Sequence, residues 1–341
     1  MPEEPLASVV VVTRDLPETL HATLASLRAQ TLAALEVIVV LNRASDARSE
    51  PEWASDLAGA VVLVAGSNLG FAAGVNLGAG VARGRYVLLL NDDAWADPAW
   101  AERLVAEAEC DPRVGSCAAN VLLAEPPGRI DTTGHLLFAD GLNRGRGRLE
   151  IDRGQYDTRR DALFASGAAA LYRAELLTGG GFEARFFAYG EDTELGLRAR
   201  LAGWECRFVP EARAWHHGSR TAGGYSSFKA YHVERNRVWL AAKHFPLVLV
   251  LLGPWIAAVR HGVQAIGVLR GRGAAARFRD GASGRALAAT ASCALLDGWL
   301  GVPAILLARL RSRGARRRSP RALYRWLRMH RLDLRHVAWT E

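Results

Sequence analysis

The sequence predicts an α/β fold whose central sheet is mostly parallel, followed by a helical extension. Two observations lead to this prediction. Short β-branched runs alternate with helical patterns in the N-terminal part of the chain. From about Phe228 onward the pattern is helical, and basic stretches alternate with apolar ones. Such alternation is typical of parallel strands joined by helices that cover both faces of a sheet. Half of the 341 residues are hydrophobic, which is enough for one large domain with an appendage or for two domains.

The elements can be assigned in order along the chain. Residues 8–13 (SVVVVT) form a β-branched run that predicts a buried strand. Leu20, Leu24 and Leu27 recur on one stripe and predict a helix at 17–30. The later elements are strands at 36–41, 61–64 and 85–90, and a helix of small residues at 71–82.

Polar residues follow the predicted strands at the point where each strand ends. In doubly wound sheets, ligands bind beyond the carboxyl ends of the strands. We therefore expect these polar residues to converge on one crevice. They are Thr13, Arg14 and Asp15 after the first strand, Asn42 after the second, residues 66–68 after the third, and Asn91, Asp92 and Asp93 after the fourth.

The segment Asn91-Asp92-Asp93 directly follows an apolar strand. Two adjacent carboxylates at a strand end need water, a partner or a cation, because burial of an unpaired charge is costly. Hard cations such as Mg²⁺ or Mn²⁺ prefer oxygen ligands, and carboxylates often hold them together with substrate phosphates. A turn or a helix N-cap is the competing structural interpretation, since Asn and Asp favour turns and Asp97-Pro98 follows closely.

A glycine-rich segment at 67–76 (SNLGFAAGVN) precedes the fourth strand. Gly70, Gly74 and Gly78 fall on one helix face, which permits close packing of the backbone. Asn68 and Asn76 could either hydrogen-bond a nucleotide or brace the loop. The pattern differs from the dinucleotide-binding glycine fingerprint, which would follow the first strand.

Two carboxylates, Glu191 and Asp192, follow the aromatic run 186–189 (FFAY) at the start of a predicted helix. Acids in the first turn of a helix complement its dipole, which is the structural interpretation. Aromatic rings beside a carboxylate also suit a sugar site, where the carboxylate deprotonates an attacking hydroxyl. Arg198 lies four residues after Glu194, and this pair is expected to support the helix.

Adjacent histidines, His216 and His217, follow a strand-like run. Neutral imidazole is a common metal ligand, so one of these side chains could complete a metal site. A structural or exposed histidine is the alternative interpretation.

The C-terminal region is basic and contains two apolar stretches. An arginine-rich block at 309–331 contributes to a net charge of +8, and it indicates either an anionic partner or a solvated basic tail. One apolar stretch, 245–259, is expected to end at Arg260, and the other, 286–308, contains Asp297 and a proline. Helices that lie on or partly in a membrane face are expected, with a helical core subdomain as the alternative.

The cellular compartment can also be predicted. The four cysteines are scattered, without a Cys-x-x-Cys pair, as is typical of a reduced, cytosolic protein. The N-terminus lacks the basic start and apolar stretch of a secretory signal. No nucleic-acid-binding motif accompanies the basic residues, so no nucleic-acid partner is expected.

In their order, these segments resemble the family 2 glycosyltransferases of the GT-A fold, especially the rhamnosyltransferase-like members that build bacterial surface polysaccharides. The match runs from Ser8 to about Pro246. The resemblance implies a Rossmann-like nucleotide-diphospho-sugar transferase domain at 1–245, with a mostly parallel central sheet. A helical, basic, membrane-associated region would follow at 246–341.

The resemblance also implies roles for individual residues. Asp192 would be the catalytic base, Asp93 the main metal ligand, and His216 the histidine that completes a site for Mg²⁺ or Mn²⁺. The family usually has Tyr-Asn where this chain has Arg14-Asp15, and Asp-Asn where it has Leu41-Asn42, which leaves the nucleotide base open. The residues implied to bind the nucleotide-diphospho-sugar donor are Thr13, Arg14, Asn42, Asn68, Gly70, Phe71, Asn76, Asn91 and Asp92.

The expected function is inverting transfer of a hexose or deoxyhexose from a nucleotide-sugar to a hydroxyl of a glycan or lipid-linked acceptor. The enzyme would be cytoplasmic, in peripheral contact with the anionic inner face of the cell membrane. A sugar nucleotidyltransferase is an alternative, but its usual Gly-rich phosphate loop is missing from residues 9–17. A non-catalytic glycan- or membrane-binding protein is the other alternative. It would not need Asp93, Asp192 and His216 to converge.

Overall fold

The structure is a computed structural model, and it describes residues 4–14, 18–44, 57–218, 226–271 and 284–334. The chain divides into two compact units. The first comprises Met1–Gly134, Gly145–Ala199 and Trp204–Thr221, and the second comprises His135–Arg144, Arg200–Gly203 and Ala222–Glu341. The helix Ser227–His244 belongs to the second unit, and the boundary predicted from the sequence lies after residue 245.

A sheet of nine strands, counted over the described residues, forms the first unit. The strands are β1 (Ala7–Thr13), β2 (Leu35–Leu41), β3 (Val61–Val64), β4 (Tyr86–Leu90), β5 (Ala94–Ala96), β6 (Val114–Leu123), β7 (Ile130–Thr132), β10 (Ala169–Arg173) and β11 (Glu205–His216). Their order is β3-β2-β1-β4-β10-β6-β11-β5, and β7 pairs with β6. The first four are parallel, as predicted. Because β10 runs antiparallel to both β4 and β6, the remainder of the sheet is mixed.

Helices cover both faces of this sheet. Alternate side chains of a strand point to opposite faces, so Val9 and Val11 of β1 pack in one apolar cluster and Val10 packs in another. Burial on both faces explains why these strands read as continuous apolar runs. The helices are α1 (Thr19–Arg28), α2 (Gly70–Ala79), α3 (Trp100–Cys110), α4 (Ala174–Thr178) and α5 (Glu191–Ala202).

The glycines of α2 bring this helix close to the sheet. A Cβ atom at Gly78 would lie 2.5 Å from Cγ1 of Val10, and one at Gly74 would lie 2.8 Å from Cγ1 of Val12. Any larger residue would push the helix off β1. The four-residue glycine spacing therefore serves backbone packing, which places Asn68 and Gly70 at the carboxyl edge of the sheet.

The second unit is mainly helical. It contains a short hairpin, β8 (His135–Leu137) and β9 (Asn143–Gly145), and the helices α6 (Ser227–His244), α7 (Leu247–Leu269), α8 (Gly284–Arg311) and α9 (Ala322–Met329). The hydroxyl of Ser226 caps α6 by accepting a hydrogen bond from the Lys229 amide at 3.2 Å. The apolar helix does not end at Arg260, contrary to expectation. Arg260 is 1% exposed, and ion pairs with acids of the same unit make its burial tolerable.

Two helices of the second unit are long and apolar enough to cross a membrane, within the part of the chain that the structure describes. They are Leu247–Val268 and Arg285–Arg311, and only 11% and 17% of their most apolar windows are buried. Trp255 of α7 is 75% exposed and Leu300 of α8 is 70% exposed. A core helix of a soluble domain would bury such side chains, so these faces are a large apolar surface.

Candidate active site

Asp93 and His216 lie against each other at the end of β4. The chain turns after Leu90, with the Ala94 amide bonded to the Asn91 carbonyl at 3.1 Å, and then enters β5. Because β5 pairs antiparallel with the end of β11, His216 is opposite Ala94. Its Nε2 atom lies 3.1 Å from Oδ1 of Asp93 and 3.3 Å from Nδ2 of Asn91. Residues more than a hundred positions apart in the chain thus meet.

Asp131 holds the other side of the His216 ring. Its Oδ2 lies 2.8 Å from Nδ1 of His216, and Arg148 pairs with its other oxygen. Burial lowers the pKa of His216, but the hydrogen bonds to Asp131 and Asp93 outweigh it and raise the pKa to about 10. Asp131 was missed by the sequence analysis. It is a single acid on a three-residue strand, and no motif surrounds it in the sequence.

The donor set fits a divalent cation that also binds a ligand. A carboxylate backing a histidine fixes which ring nitrogen faces the metal, and here Nε2 faces Asp93. In the described ranges, no group of three or more acidic, histidine or cysteine side chains is arranged to hold a metal. Asp93 and His216 therefore offer two ligands, and phosphate oxygens of a substrate would have to supply others.

Asp92 is 7% exposed. Burial and the neighbouring charge of Asp93 raise its pKa to about 6, although the nearby Thr13 hydroxyl opposes the rise. The hydroxyls of Thr19 and Thr23 in α1 donate to its carbonyl at 2.9 and 3.2 Å. Helix α1 therefore fixes the backbone of the acidic turn.

Asn42 and Asn68 shape the loop before α2. Oδ1 of Asn42 accepts from the Leu69 amide at 2.8 Å, and its Nδ2 donates to the Gly70 carbonyl at 3.1 Å. Oδ1 of Asn68 accepts from the Gly70 amide at 3.0 Å. Gly70 has a φ of +80°, which favours glycine. The Asn42 side chain is committed to this loop, whereas Asn68 is exposed at the crevice.

Asn76 and Phe71 contact the segment at 182 instead of facing open space. Nδ2 of Asn76 donates to the Phe182 carbonyl at 2.8 Å, and its Oδ1 accepts from the Phe182 amide at 2.8 Å. The Phe71 ring packs edge-on against Phe182, with the ring centroids 6.4 Å apart. Of the two interpretations of Asn76, the geometry favours a brace.

Asp192 stands in the first turn of α5. Its Oδ1 accepts from the Thr193 amide at 2.6 Å, and its Oδ2 accepts from the Gly167 amide at 3.3 Å. The Ala168 carbonyl, one residue further, accepts from the Asn91 amide at 2.9 Å. The loop 166–168 therefore connects Asp192 to the acidic turn of Asn91, Asp92 and Asp93.

The loop before Asp192 has unusual backbone geometry. Phe187 and Tyr189 both have a φ of +65°, and Gly190 has a φ of +90°. Non-glycine residues in this region store strain and cluster at functional sites. A Cβ at Gly70 would lie 2.6 Å from the Phe187 carbonyl oxygen, and the Ala72 amide donates to that oxygen at 3.2 Å. The loop is thus pressed onto the start of α2.

The remaining acids of this segment are buried. Burial and the charge of Asp192 raise the pKa of Glu191 to about 8, and its Oε2 atom has no hydrogen-bond partner among the described residues. Glu194 is fully buried and pairs with Arg198 at 3.3 Å, as expected from their spacing. Glu194 therefore supports the helix.

Three further predicted residues can be placed. Arg14 is described and exposed at the end of β1, whereas Asp15 lies outside the described residues. The His217 ring packs against Trp95 with 5.3 Å between the ring centroids, so His216 and not His217 faces Asp93. The Asn42 amide donates to the Thr13 carbonyl at 2.7 Å, which links the first two strand ends.

Residues 8–179 match the model of the family described as glycosyl transferase family 2. The O-antigen biosynthesis protein RfbC of Myxococcus xanthus is 28% identical over 262 residues, 71% of this chain. This chain spans only 20% of that relative's length. The N-acetylglucosaminyl-diphospho-decaprenol L-rhamnosyltransferase of Mycobacterium tuberculosis is 30% identical over 263 residues, which is 69% of this chain and 84% of that enzyme.

A solved structure shares the fold. It is the mannosyltransferase PcManGT from Pyrobaculum calidifontis in complex with GDP-Man and Mn²⁺, which is 19% identical. The superposition covers 89% of this chain and 88% of that one, with a TM-score of 0.52. This likeness confirms the GT-A fold that the sequence predicted. With the family model matching half of its length, the chain belongs to glycosyl transferase family 2.

Proposed function

We propose that this chain transfers a sugar from a nucleotide-diphospho-sugar to a hydroxyl of a glycan or lipid-linked acceptor, with inversion at the anomeric carbon. One observation carries the proposal. The contact between Asp93 and His216, 3.1 Å long, adjoins a turn that the loop 166–168 connects to Asp192. A cation-binding pair and a carboxylate base are the two groups that a single displacement of a diphosphate requires.

Asp93 and His216 would hold Mg²⁺ or Mn²⁺, and the ion would neutralise the charge that develops on the departing diphosphate. Asn91 and Asp92 would lie nearer the ribose and the phosphates. Thr13, Arg14 and Asn68 would line the nucleotide, since they stand at the carboxyl ends of parallel strands. Further residues proposed to shape this donor site are Asn42, Gly70, Phe71 and Asn76.

Asp192 would accept the proton of the attacking hydroxyl. The Gly167 amide and the amide and hydroxyl of Thr193 all donate to its carboxylate, and these donors hold it in one orientation. One displacement, with no covalent intermediate on the protein, inverts the anomeric centre.

The acceptor is proposed from the relatives. One is an O-antigen biosynthesis protein, and the other is a rhamnosyltransferase named for N-acetylglucosaminyl-diphospho-decaprenol. Surface-polysaccharide synthesis on a lipid-linked acceptor at the cytoplasmic membrane face is therefore the proposed setting. The exposed apolar helices α7 and α8 and the arginine-rich segment after them support peripheral contact with an anionic membrane.

The test combines binding and turnover. Nucleotide-sugars are screened by thermal shift with and without Mn²⁺, and donors that stabilise the protein are assayed for release of nucleoside diphosphate. Asp192→Asn should abolish transfer and leave the donor-induced thermal shift nearly unchanged, because the amide cannot accept the proton. Asp157→Asn, an exposed aspartate of the same unit, is the matched control. Full activity of Asp192→Asn would exclude it as the base.

A further inference from the structure

The second unit contains a cavity of about 190 Å³ between α6, α7 and α8. Its walls are mostly apolar, with Val238 and Ala241 from α6, Ala257 from α7, and Leu295 and Trp299 from α8. One end is polar, where Asp140, Arg237 and His261 line it. This volume is large enough for several methylene groups.

The polar end of the cavity belongs to a buried ion cluster. Nε of Arg260 lies 2.7 Å from Asp140, and Nη2 of Arg260 lies 2.9 Å from Glu234. Nε of Arg237 lies 2.5 Å from Glu234, and its Nη1 lies 3.5 Å from Asp140. Burial raises the pKa of Glu234, but the charges of Arg260 and Arg237 outweigh it and hold this pKa well below its usual range.

The two arginines of this cluster differ in how far they are satisfied. Arg260 donates from all three of its nitrogens, since Nη1 also reaches Gln264 at 2.9 Å. Nη2 of Arg237 has no acceptor within the described part of the chain, although the Arg237 side chain is 5% exposed. Buried guanidinium donors are almost always paired, so this atom needs an acceptor from outside the protein, such as water or a bound ligand.

The surface around the cavity is apolar as well. Leu251 and Trp255 of α7 and Leu300 of α8 are among the most exposed large apolar side chains of the chain. Both helices have the length and composition of membrane-crossing segments. The apolar walls and the apolar faces around the cavity favour a ligand with a hydrocarbon chain over a polar ligand. Such a ligand would reach the cavity from a lipid phase.

We propose that this cavity binds the hydrocarbon chain of a phosphate-bearing lipid, and that a headgroup oxygen accepts the hydrogen bond of Arg237 Nη2. The apolar walls suit the hydrocarbon chain of the lipid, and the Arg237 nitrogen without an acceptor suits an anionic headgroup oxygen. The site contains no residue assigned to sugar transfer. The proposed lipid binding can therefore be tested independently of the proposed function.

The test uses dodecyl phosphate below its micelle concentration, with the full chain in a calorimetric titration. Dodecyl phosphate should bind saturably, whereas inorganic phosphate should not bind and dodecyl maltoside should bind at least about 10-fold more weakly. Ala257→Leu fills the cavity and should weaken dodecyl phosphate at least about 10-fold. Ala265→Leu makes the same change on an exposed position of α7 and should leave the affinity unchanged.

The contribution of the guanidinium is tested separately. Arg237→Met keeps an unbranched apolar stem and removes the guanidinium donors, so it should abolish the preference for dodecyl phosphate over dodecyl maltoside. Thermal melts establish whether each variant is folded. If Arg237→Met does not fold, the headgroup contact is tested by comparing the affinities of the unmodified chain for the two detergents. Equal affinity in Ala257→Leu would indicate adsorption on the exposed helices and would overturn the proposal. Equal affinity for the two detergents, or binding of inorganic phosphate, would overturn it too.

Discussion

Two buried acids of the first unit, Asp92 and Glu191, lack enough positive charge beside them, whereas the acids of the buried ion cluster in the second unit are matched by arginines. Burial raises the pKa of Asp92 to about 6 and that of Glu191 to about 8. Glu234 is also buried, yet two guanidiniums hold its pKa well below the usual range. The same kind of side chain is thus shifted in opposite directions, and the difference lies in its partners.

The difference indicates what each cluster is for. The unneutralised acids of the first unit, Asp92 after β4 and Glu191 at the start of α5, are the direct neighbours of Asp93 and Asp192, the residues proposed to bind a cation and to accept a proton. The matched cluster of Glu234, Asp140, Arg237 and Arg260 is complete except for Nη2 of Arg237, and it holds helices together. Four predictions test this contrast between the two groups of buried acids.

The largest expected effect is on turnover. Asp93→Asn removes the carboxylate charge from the proposed cation pair, and transfer should fall by about 10²–10³-fold or more. The stabilisation by Mn²⁺ in thermal melts should disappear as well. Steady-state assays across a Mn²⁺ series measure both, with Asp157→Asn as the control. A variant that keeps its metal-dependent activity would show that Asp93 is not the ligand.

Removal of an arginine from the matched cluster should reduce the free energy of unfolding. Arg260→Met leaves Asp140 and Glu234 buried with less positive charge, and the free energy of unfolding should drop by about 3–5 kcal/mol. Urea denaturation measures the change. Arg325→Met, which alters an exposed arginine of α9, should have little effect. If the two variants were equally stable, the cluster would not be structural.

Asp131 should act through His216. Asp131→Asn weakens the hold on Nδ1 of the ring, and the apparent affinity for Mn²⁺ should fall by about 10–100-fold. The readout is the Mn²⁺ concentration at half-maximal donor-dependent thermal shift, which a purely structural acid would not move. An unchanged midpoint together with a lower melting temperature would assign Asp131 to stability alone.

The fourth prediction concerns the pH dependence of stability at Glu191. Its pKa is raised from an ordinary value of 4.5 in the unfolded chain to about 8 in the folded protein. The stabilisation that this group contributes is complete below pH 4.5 and is lost as the pH rises towards 8. Glu191→Gln should therefore gain stability relative to the unmodified chain across that window, by up to about 1.4 kcal/mol per pH unit. Melting temperatures of the metal-free proteins at pH 5 and pH 8.5 test this, and a constant difference would contradict it.

Much of the first unit could be predicted because its signals are local. The apolar runs at β1, β2 and β4 and the leucine stripe of α1 fix the elements, and the parallel arrangement then brings Asp93 near the other strand ends. The antiparallel insertion of β10 between β4 and β6 could not be predicted, because strand order depends on pairing between distant segments. Asp131 was missed for the same reason.

The second unit shows where a local pattern misleads. Arg260 was expected to end an apolar stretch, because a charged residue usually marks the end of a buried helix. The helix continues to Leu269, since acids from the 135–144 hairpin and from α6 neutralise Arg260. Those partners are 120 and 26 residues away, and no periodicity connects them.

The contact between Gly70 and Phe187 has a consequence for engineering new specificity. The first lies in the loop proposed to hold the donor, and the second begins the strained stretch that leads to Asp192. A Cβ at position 70 would collide with Phe187, so the two segments form one interlocked part. A graft that exchanges only the 186–190 loop with that of a relative should misplace both ends of the crevice, whereas a graft that carries residues 68–72 with it should preserve their fit.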